Sequence, residues 1–179
     1  MSETYKMKIA GLDRELPLCP INDSLSIGAF IIFGDVELTV AAATELIGKL
    51  PDFDYIITPE AKSIPLAYEM SRQSGKPYYV VRKKEKLYMQ NPVSVSVRSI
   101  TTDAQQTLVL DGTEGEIIRN KRVVILDDVI STGESLRAVE QLLAKFDVNV
   151  VAKAAVLAEG DAADRSDIVF LEKLPLFVK

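Results

Sequence analysis

The sequence predicts an α/β fold: a parallel sheet of about five strands with helices on both faces. Three observations predict it. Short, wholly apolar runs such as YIIT (Tyr55–Thr58) and VVIL (Val123–Leu126) suit strands buried on both faces. Stretches with helical spacing alternate with those runs along the chain. The length, 179 residues, is that of one domain, which would take in residues 1–179.

The elements follow in order. Val36 to Leu50 reads as a helix that Pro51 and Asp52 stop. Tyr55–Thr58 is the first buried strand. Ala61 to Gln73 has helical spacing at Ile64, Ala67, Tyr68 and Ser71, with Gly75 where a C-terminal cap falls. Pro77 to Arg82 (PYYVVR) is a second buried strand. Val93 to Ile100 (VSVSVRSI) alternates strictly, as a half-exposed strand does, and Thr107 to Leu110 is its antiparallel partner. Val123–Leu126 is the central strand. Glu134 to Phe146 is an amphipathic helix with Leu136, Val139, Leu142, Leu143 and Phe146 on one side. Val148 to Val156 and Ile168 to Leu171 are further strands. Ligands of such sheets bind at the carboxyl ends of the strands, so the chemistry belongs just after Thr58, Arg82 and Leu126.

Composition narrows that chemistry. The chain has no histidine, which excludes Ser-His-Asp and Cys-His nucleophilic sites and His-ligated zinc or iron. A metal here is held by oxygen, which points to magnesium or calcium. The single cysteine, Cys19, forms no internal disulfide. The longest apolar run, Ile27 to Phe33, falls far short of a membrane span, and MSETYKMKIAGL carries no secretory signal. The cytoplasm is therefore the expected compartment. With 21 basic and 26 acidic residues the net charge is −5, which argues against a nucleic-acid coat.

The densest polar stretch is VVILDDVISTGES, Val123 to Ser135. Asp127 and Asp128 follow four apolar residues, and Ser131-Thr132-Gly133-Glu134-Ser135 opens a helix. Unpaired N–H groups at a helix start bind phosphate. Gly133 lets the backbone come close or take positive φ. The two carboxylates must face something else, either a diol or a magnesium-bound sugar. A helix cap with two solvated aspartates is the plain alternative. It does not account for the hydroxyl-rich glycine loop beside them.

This stretch resembles the phosphoribosyl pyrophosphate (PRPP) motif of the type I phosphoribosyltransferases, closest to their adenine/xanthine branch. The resemblance covers roughly residues 30 to 172. It implies that Asp127 and Asp128 contact the ribose hydroxyls and that Ser131, Thr132, Gly133, Glu134 and Ser135 cradle the 5′-phosphate. TPEAKS (Thr58–Ser63) is similar to the family's short pyrophosphate loop, which often carries a strained peptide; Ala61 and Lys62 would contact pyrophosphate. RKKEKL (Arg82–Leu87) resembles the Arg-Lys-x-x-Lys-Leu run, making Arg82, Lys83 and Lys86 pyrophosphate ligands. Catalysis would then rest on Asp127, Asp128, Lys62 and Arg82.

The same resemblance implies a mobile flap over about 86–111 and a hood from about 1–35 and 157–179. Phe33, in FIIFGD, would stack on a planar base. Glu159, in LAEGDAADR, would accept from a ring N–H, and Arg165 would brace that loop. The departures are Glu85 in place of a glycine, Gly34 in place of an arginine, and no carboxylate between Lys86 and Asp103. They leave the base and the proton donor open. The implied activity is transfer of the 5-phosphoribosyl group from PRPP to a purine base in salvage. Mg²⁺ would be held mainly through PRPP and water, with Asp127 or Asp128 as the available protein ligands. A homodimer is implied, with no nucleic-acid or membrane partner. The alternatives are a non-catalytic PRPP- or nucleotide-sensing regulator of the same fold, or a transferase for another base such as orotate.

Overall fold

The computed structural model describes residues 3–98 and 105–178. β1 (Thr4–Ile9) and β2 (Leu12–Pro20) form a hairpin closed by Ala10 and Gly11, with φ of 48° and 79°. Two successive positive-φ residues give the turn whose twist matches its strands. β3 (Leu25–Gly28) pairs with β2. α1 (Val36–Lys49) is capped by Asp35, whose Oδ1 accepts from the Leu38 N–H at 3.0 Å. Arg14 of β2 grips the same carboxylate with Nε and Nη2, at 2.6 and 3.0 Å, and so ties the hairpin to the helix start.

β4 (Tyr55–Pro59) leads to α2 (Ile64–Ser74), which ends at Gly75 with φ 70°. The helix begins three residues later than the spacing of Ala61–Gln73 suggests, with Pro65 in its first turn, where a missing N–H costs nothing. β5 (Tyr78–Val81) follows, then the antiparallel ribbon of β6 (Val93–Arg98) and β7 (Gln105–Leu110). Ile100, the expected end of the first ribbon strand, lies outside the described residues. α3 (Gly112–Ile117) precedes β8 (Arg122–Ile130), α4 (Glu134–Ala144) and β9 (Asn149–Glu159). A 3₁₀ turn at Gly160–Asp164 leads to β10 (Val169–Leu174) and β11 (Phe177–Val178).

The five-stranded sheet has the order β10-β9-β8-β4-β5, all parallel. Period-two alternation splits its side chains between two cores. Ile56, Val124 and Leu126 pack against Leu38, Ala42, Leu46 and Leu66 of α1 and α2. Ile57, Val123 and Ile125 pack against Leu136, Val139 and Leu142 of α4. A second sheet, β1-β2-β3-β11, adds Ile9 and Leu16 to the first core, where they meet Leu174 of β10. The ribbon is pinned at its base, where Arg82 N–H donates to the Val109 carbonyl at 2.8 Å and Val109 N–H donates back at 2.7 Å. Lys145 Nζ, just past α4, donates to the Ser94 carbonyl at 2.8 Å. Among the described residues no helix is long and apolar enough to cross a membrane.

Candidate active site

β8 runs past the apolar VVIL segment to Ile130, because its pairing with β9 continues through Val129–Leu157 and Ile130–Ala158. Asp127 and Asp128 therefore stand on the strand itself, not on a loop after it, and alternate between the two faces. Asp127 lines a small cavity of about 100 Å³ with Ser131, Thr132, Gly133 and Ser135. Asp128 lines a cavity of about 410 Å³ with Phe30, Ile31, Lys62 and Glu159. A third cavity, about 340 Å³, touches both acids together with Glu60, Ala61, Lys62, Lys83 and Gln106. Val129 lines all three, so they meet at the acid pair.

The acids differ in state. Burial, and then the charge of Asp128, push the Asp127 carboxyl up to about 7. Its Oδ1 accepts the Asp128 N–H at 2.8 Å. Asp128 is 3% exposed. Lys62 Nζ stands 2.9 Å from Asp128 Oδ2, yet that oxygen receives no directed hydrogen bond. The contact is an ion pair without hydrogen-bond geometry, and the oxygen is buried beneath it.

The loop after β8 turns through Gly133, whose φ of 79° suits glycine, into the N-terminus of α4. Gly133, the N-cap, supplies no side-chain cap, and Thr132 Oγ1 accepts from the Glu134 N–H at 3.4 Å. The first turn of α4 and the positive end of its dipole lie beside the small cavity, which Gly133, Ser135 and Leu136 help to line.

The segment after β4 forms the opposite lip, and its Glu60–Ala61 peptide bond is cis. Thr58 Oγ1, fully buried, lies 2.7 Å from Ser63 Oγ and 2.9 Å from the Leu126 carbonyl, which fastens this lip to β8. Glu60 accepts from Arg82 Nε at 2.6 Å and from the Lys83 N–H at 2.8 Å. Burial alone would raise the Glu60 carboxyl; the Lys83 N–H and the Arg82 guanidinium outweigh it and hold the group below its ordinary value. Arg82 Nη1 also donates to the Tyr88 hydroxyl at 2.8 Å.

The structure thus gathers Asp127, Asp128, Lys62, Ala61, Lys83, Ser131, Thr132, Gly133, Ser135 and Glu159 around connected cavities. Arg82 stands behind the lip, bonded to Glu60, and Glu134 opens α4. Lys86 lies on the exposed turn that leads to Met89. Phe33 is half exposed and does not line the 410 Å³ cavity, whose apolar wall is Ile27–Ile31 and Leu174. Glu60, Tyr88 and Thr58 were not marked by the sequence. Only the position of Glu60 between a strand end and a lysine hinted at it. A larger open hollow of about 640 Å³ lies apart, at the base of β6 and α3 around Val93, Ile117 and Phe146, and has Glu116 as its one charged lining residue.

No group of three or more metal-ligating side chains occurs among the described residues. The oxygen donors on hand are Asp127 and Asp128, which suits a hard cation carried largely by ligand oxygens and water.

A family model, the phosphoribosyl transferase domain, matches residues 36–176. The hypoxanthine/guanine phosphoribosyltransferase of Methanothermobacter thermautotrophicus is 34% identical over 128 residues, which is 71% of this chain and 63% of that protein. The enzyme of the same name from Methanococcus voltae is 32% identical over 147 residues, 82% of this chain and 72% of its own. The chain therefore spans less than two thirds of the first relative and somewhat more of the second. Adenine phosphoribosyltransferase from Thermoanaerobacter pseudethanolicus shares the fold, with a TM-score of 0.73 at 20% identity over 88% of this chain and 95% of that one. The match of the family model across the central sheet, the acid pair and the loop beyond it settles the affiliation: the chain belongs to the phosphoribosyltransferase family.

Proposed function

We propose that this protein transfers the 5-phosphoribosyl group from PRPP to a purine base, releasing pyrophosphate and forming a nucleoside 5′-monophosphate. The observation that carries the reading is the junction of three cavities at Asp127 and Asp128. One has the helix terminus a phosphate needs, one has basic residues for a leaving group, and one has an apolar wall for a flat ring.

On this reading the Ser131–Ser135 loop holds the 5′-phosphate through the first N–H groups of α4. Asp127 and Asp128 accept from the ribose hydroxyls, and Asp128 Oδ2 is the oxygen left without a directed donor. The bond from the anomeric carbon to pyrophosphate lengthens towards an oxocarbenium-like transition state. Lys62, Lys83 and Arg82 face the negative charge that gathers on the departing oxygens, with Lys86 close by along the chain. Glu60 and Tyr88 hold the Arg82 fork, so fewer of its rotamers must be frozen on binding. The base lies against Ile27–Ile31, and Glu159 accepts from a ring N–H. Gln106 of β7 closes the leaving-group side, and its ribbon shields the cation-like sugar from water. Asp127 or Asp128 would be the protein ligand of Mg²⁺, which would supply positive charge to the pyrophosphate oxygens.

The test is pyrophosphate release from PRPP and Mg²⁺, screened over adenine, hypoxanthine, guanine, xanthine and orotate. Turnover with a purine and none with orotate is expected. PRPP binding without turnover on any base would make the chain a sensor instead.

A further inference from the structure

We propose that Arg165 is a positioning residue for the phosphate loop, acting through Gly133; the proposal rests on the 5′-phosphate assignment above. Arg165 follows the 3₁₀ turn after β9. Its Nε and Nη2 are committed to Asp167, donating to Oδ1 at 2.8 Å and to Oδ2 at 2.7 Å. Its Nη1 has no acceptor among the described residues and lies against Gly133. A Cβ added to Gly133 would stand 2.7 Å from that nitrogen.

The fork is anchored in turn. Lys153 Nζ of β9 donates to Asp167 Oδ2 at 2.9 Å and to Glu140 Oε1, on α4, at 2.9 Å. One charged cluster therefore holds α4 at its middle, through Glu140, and backs the glycine at its start. The placement has a cost, which Asp167 offsets in part through its two bonds to the guanidinium. A cation beside a helix N-terminus opposes the helix dipole. An anion seated on the N–H groups of that same terminus is attracted by both. Arg165 does not line the small cavity, so it stands behind the loop. It fixes where Gly133 presents its backbone and adds a positive field without touching the phosphate. The Gly133 backbone has a positive φ, and a side chain there would have to push the end of Arg165 aside.

The test uses the full chain and two probes that divide the substrate, ribose 5-phosphate and pyrophosphate, each titrated calorimetrically with Mg²⁺ present. Arg165→Gln should weaken ribose 5-phosphate about tenfold and leave pyrophosphate within about twofold. In turnover it should raise the KM for PRPP with kcat within about threefold. Arg165→Lys keeps the charge but loses the fork, and should recover part of the affinity. Unchanged ribose 5-phosphate binding in a folded Arg165→Gln would overturn the proposal. So would an equal loss of both probes, or a loss confined to pyrophosphate. If Arg165→Gln does not fold, Arg165→Lys decides, with a loss of about threefold or more for ribose 5-phosphate alone expected. Wild-type protein that fails to bind ribose 5-phosphate removes the phosphate assignment itself, a separate failure from that of the variants.

Discussion

Lys62 Nζ and Asp128 Oδ2 are 2.9 Å apart, with half the lysine side chain in solvent and the carboxylate 5% exposed. On the reading proposed above, the pair links the two halves of the site, Lys62 on the leaving-group lip and Asp128 on the sugar side. Removing the lysine leaves a buried charge without its partner. Lys62→Ala should therefore destabilise the fold by about 1–2 kcal/mol, discounted for the exposed ammonium. It should also weaken pyrophosphate more than ribose 5-phosphate. Chemical denaturation and the two titrations check both halves.

Asp128→Asn keeps the shape and removes the acceptor charge. PRPP affinity should fall at least about tenfold, the loss of a charge-assisted hydrogen bond to each hydroxyl held. The fold should be as stable as wild type or more so. If calorimetry shows PRPP binding and turnover both intact in this variant, the sugar site lies elsewhere.

Asp127 gives a pH signature of definite sign. Its carboxyl ordinarily titrates at 3.8 and is pushed up to about 7 by burial and by Asp128. The stability tied to its proton is fully present below 3.8 and is lost as pH rises through about 7. Asp127→Asn should thus gain on wild type by roughly 2–4 kcal/mol at pH 8 and by nothing at pH 3.5. Activity moves the other way. The ionised group is the better acceptor for a diol, so the wild-type KM for PRPP should fall as pH rises through about 7. Thermal melts and a KM–pH profile, each run on both proteins, test the two signs.

Glu60 carries the opposite dependence. Its carboxyl is held low, so its contribution is present above the ordinary value of 4.5 and is lost as pH falls through the depressed one. Glu60→Gln should cost about 2 kcal/mol at neutral pH, the worth of a charge-assisted hydrogen bond, and should loosen Arg82. Pyrophosphate affinity should fall although Glu60 is itself an anion. A rise in affinity would show that the carboxylate obstructs the site and does not order it.

Thr58→Val is nearly isosteric and removes the buried hydroxyl between Ser63 Oγ and the Leu126 carbonyl. Losing those bonds should cost about 1–3 kcal/mol. Because the lip is fastened there, the KM for PRPP should rise with it, read from denaturation and steady-state kinetics on the same preparation.

The central sheet was legible because its strands are buried on both faces, and continuous apolar runs such as VVIL have few other uses. The helix over Glu134–Ala144 was legible for the matching reason, a single apolar stripe. The terminal sheet was not. LDRELPLCP is only half buried, and its hairpin turns on Ala10-Gly11, without the Asn-Gly or Asp-Gly pair that signals such a turn. Within the site, Asp127, Asp128 and the Ser131–Ser135 loop were visible because strand, acids and helix start are contiguous. Glu60 with Arg82, and Gly133 with Arg165, are contacts between distant segments, which no local pattern encodes. The base wall shows the same limit. Phe33 has the right chemistry for a ring stack, but it is half exposed, and Ile27–Ile31 line the cavity instead.

β3 is completed by β11, whose residues Phe177 and Val178 pair with Ser26 and Leu25. The partners are separated by almost the whole polypeptide. Ile27 of β3 and Leu174 of β10 line the cavity beside Asp128, so the pairing of β3 with β11 fixes one wall of that cavity. On the reading proposed above, the seat for the ring depends on contacts between distant segments, whereas the sugar end depends on neighbouring ones. Opening of the β3–β11 pair would, on that reading, loosen the wall for the ring and spare the phosphate loop.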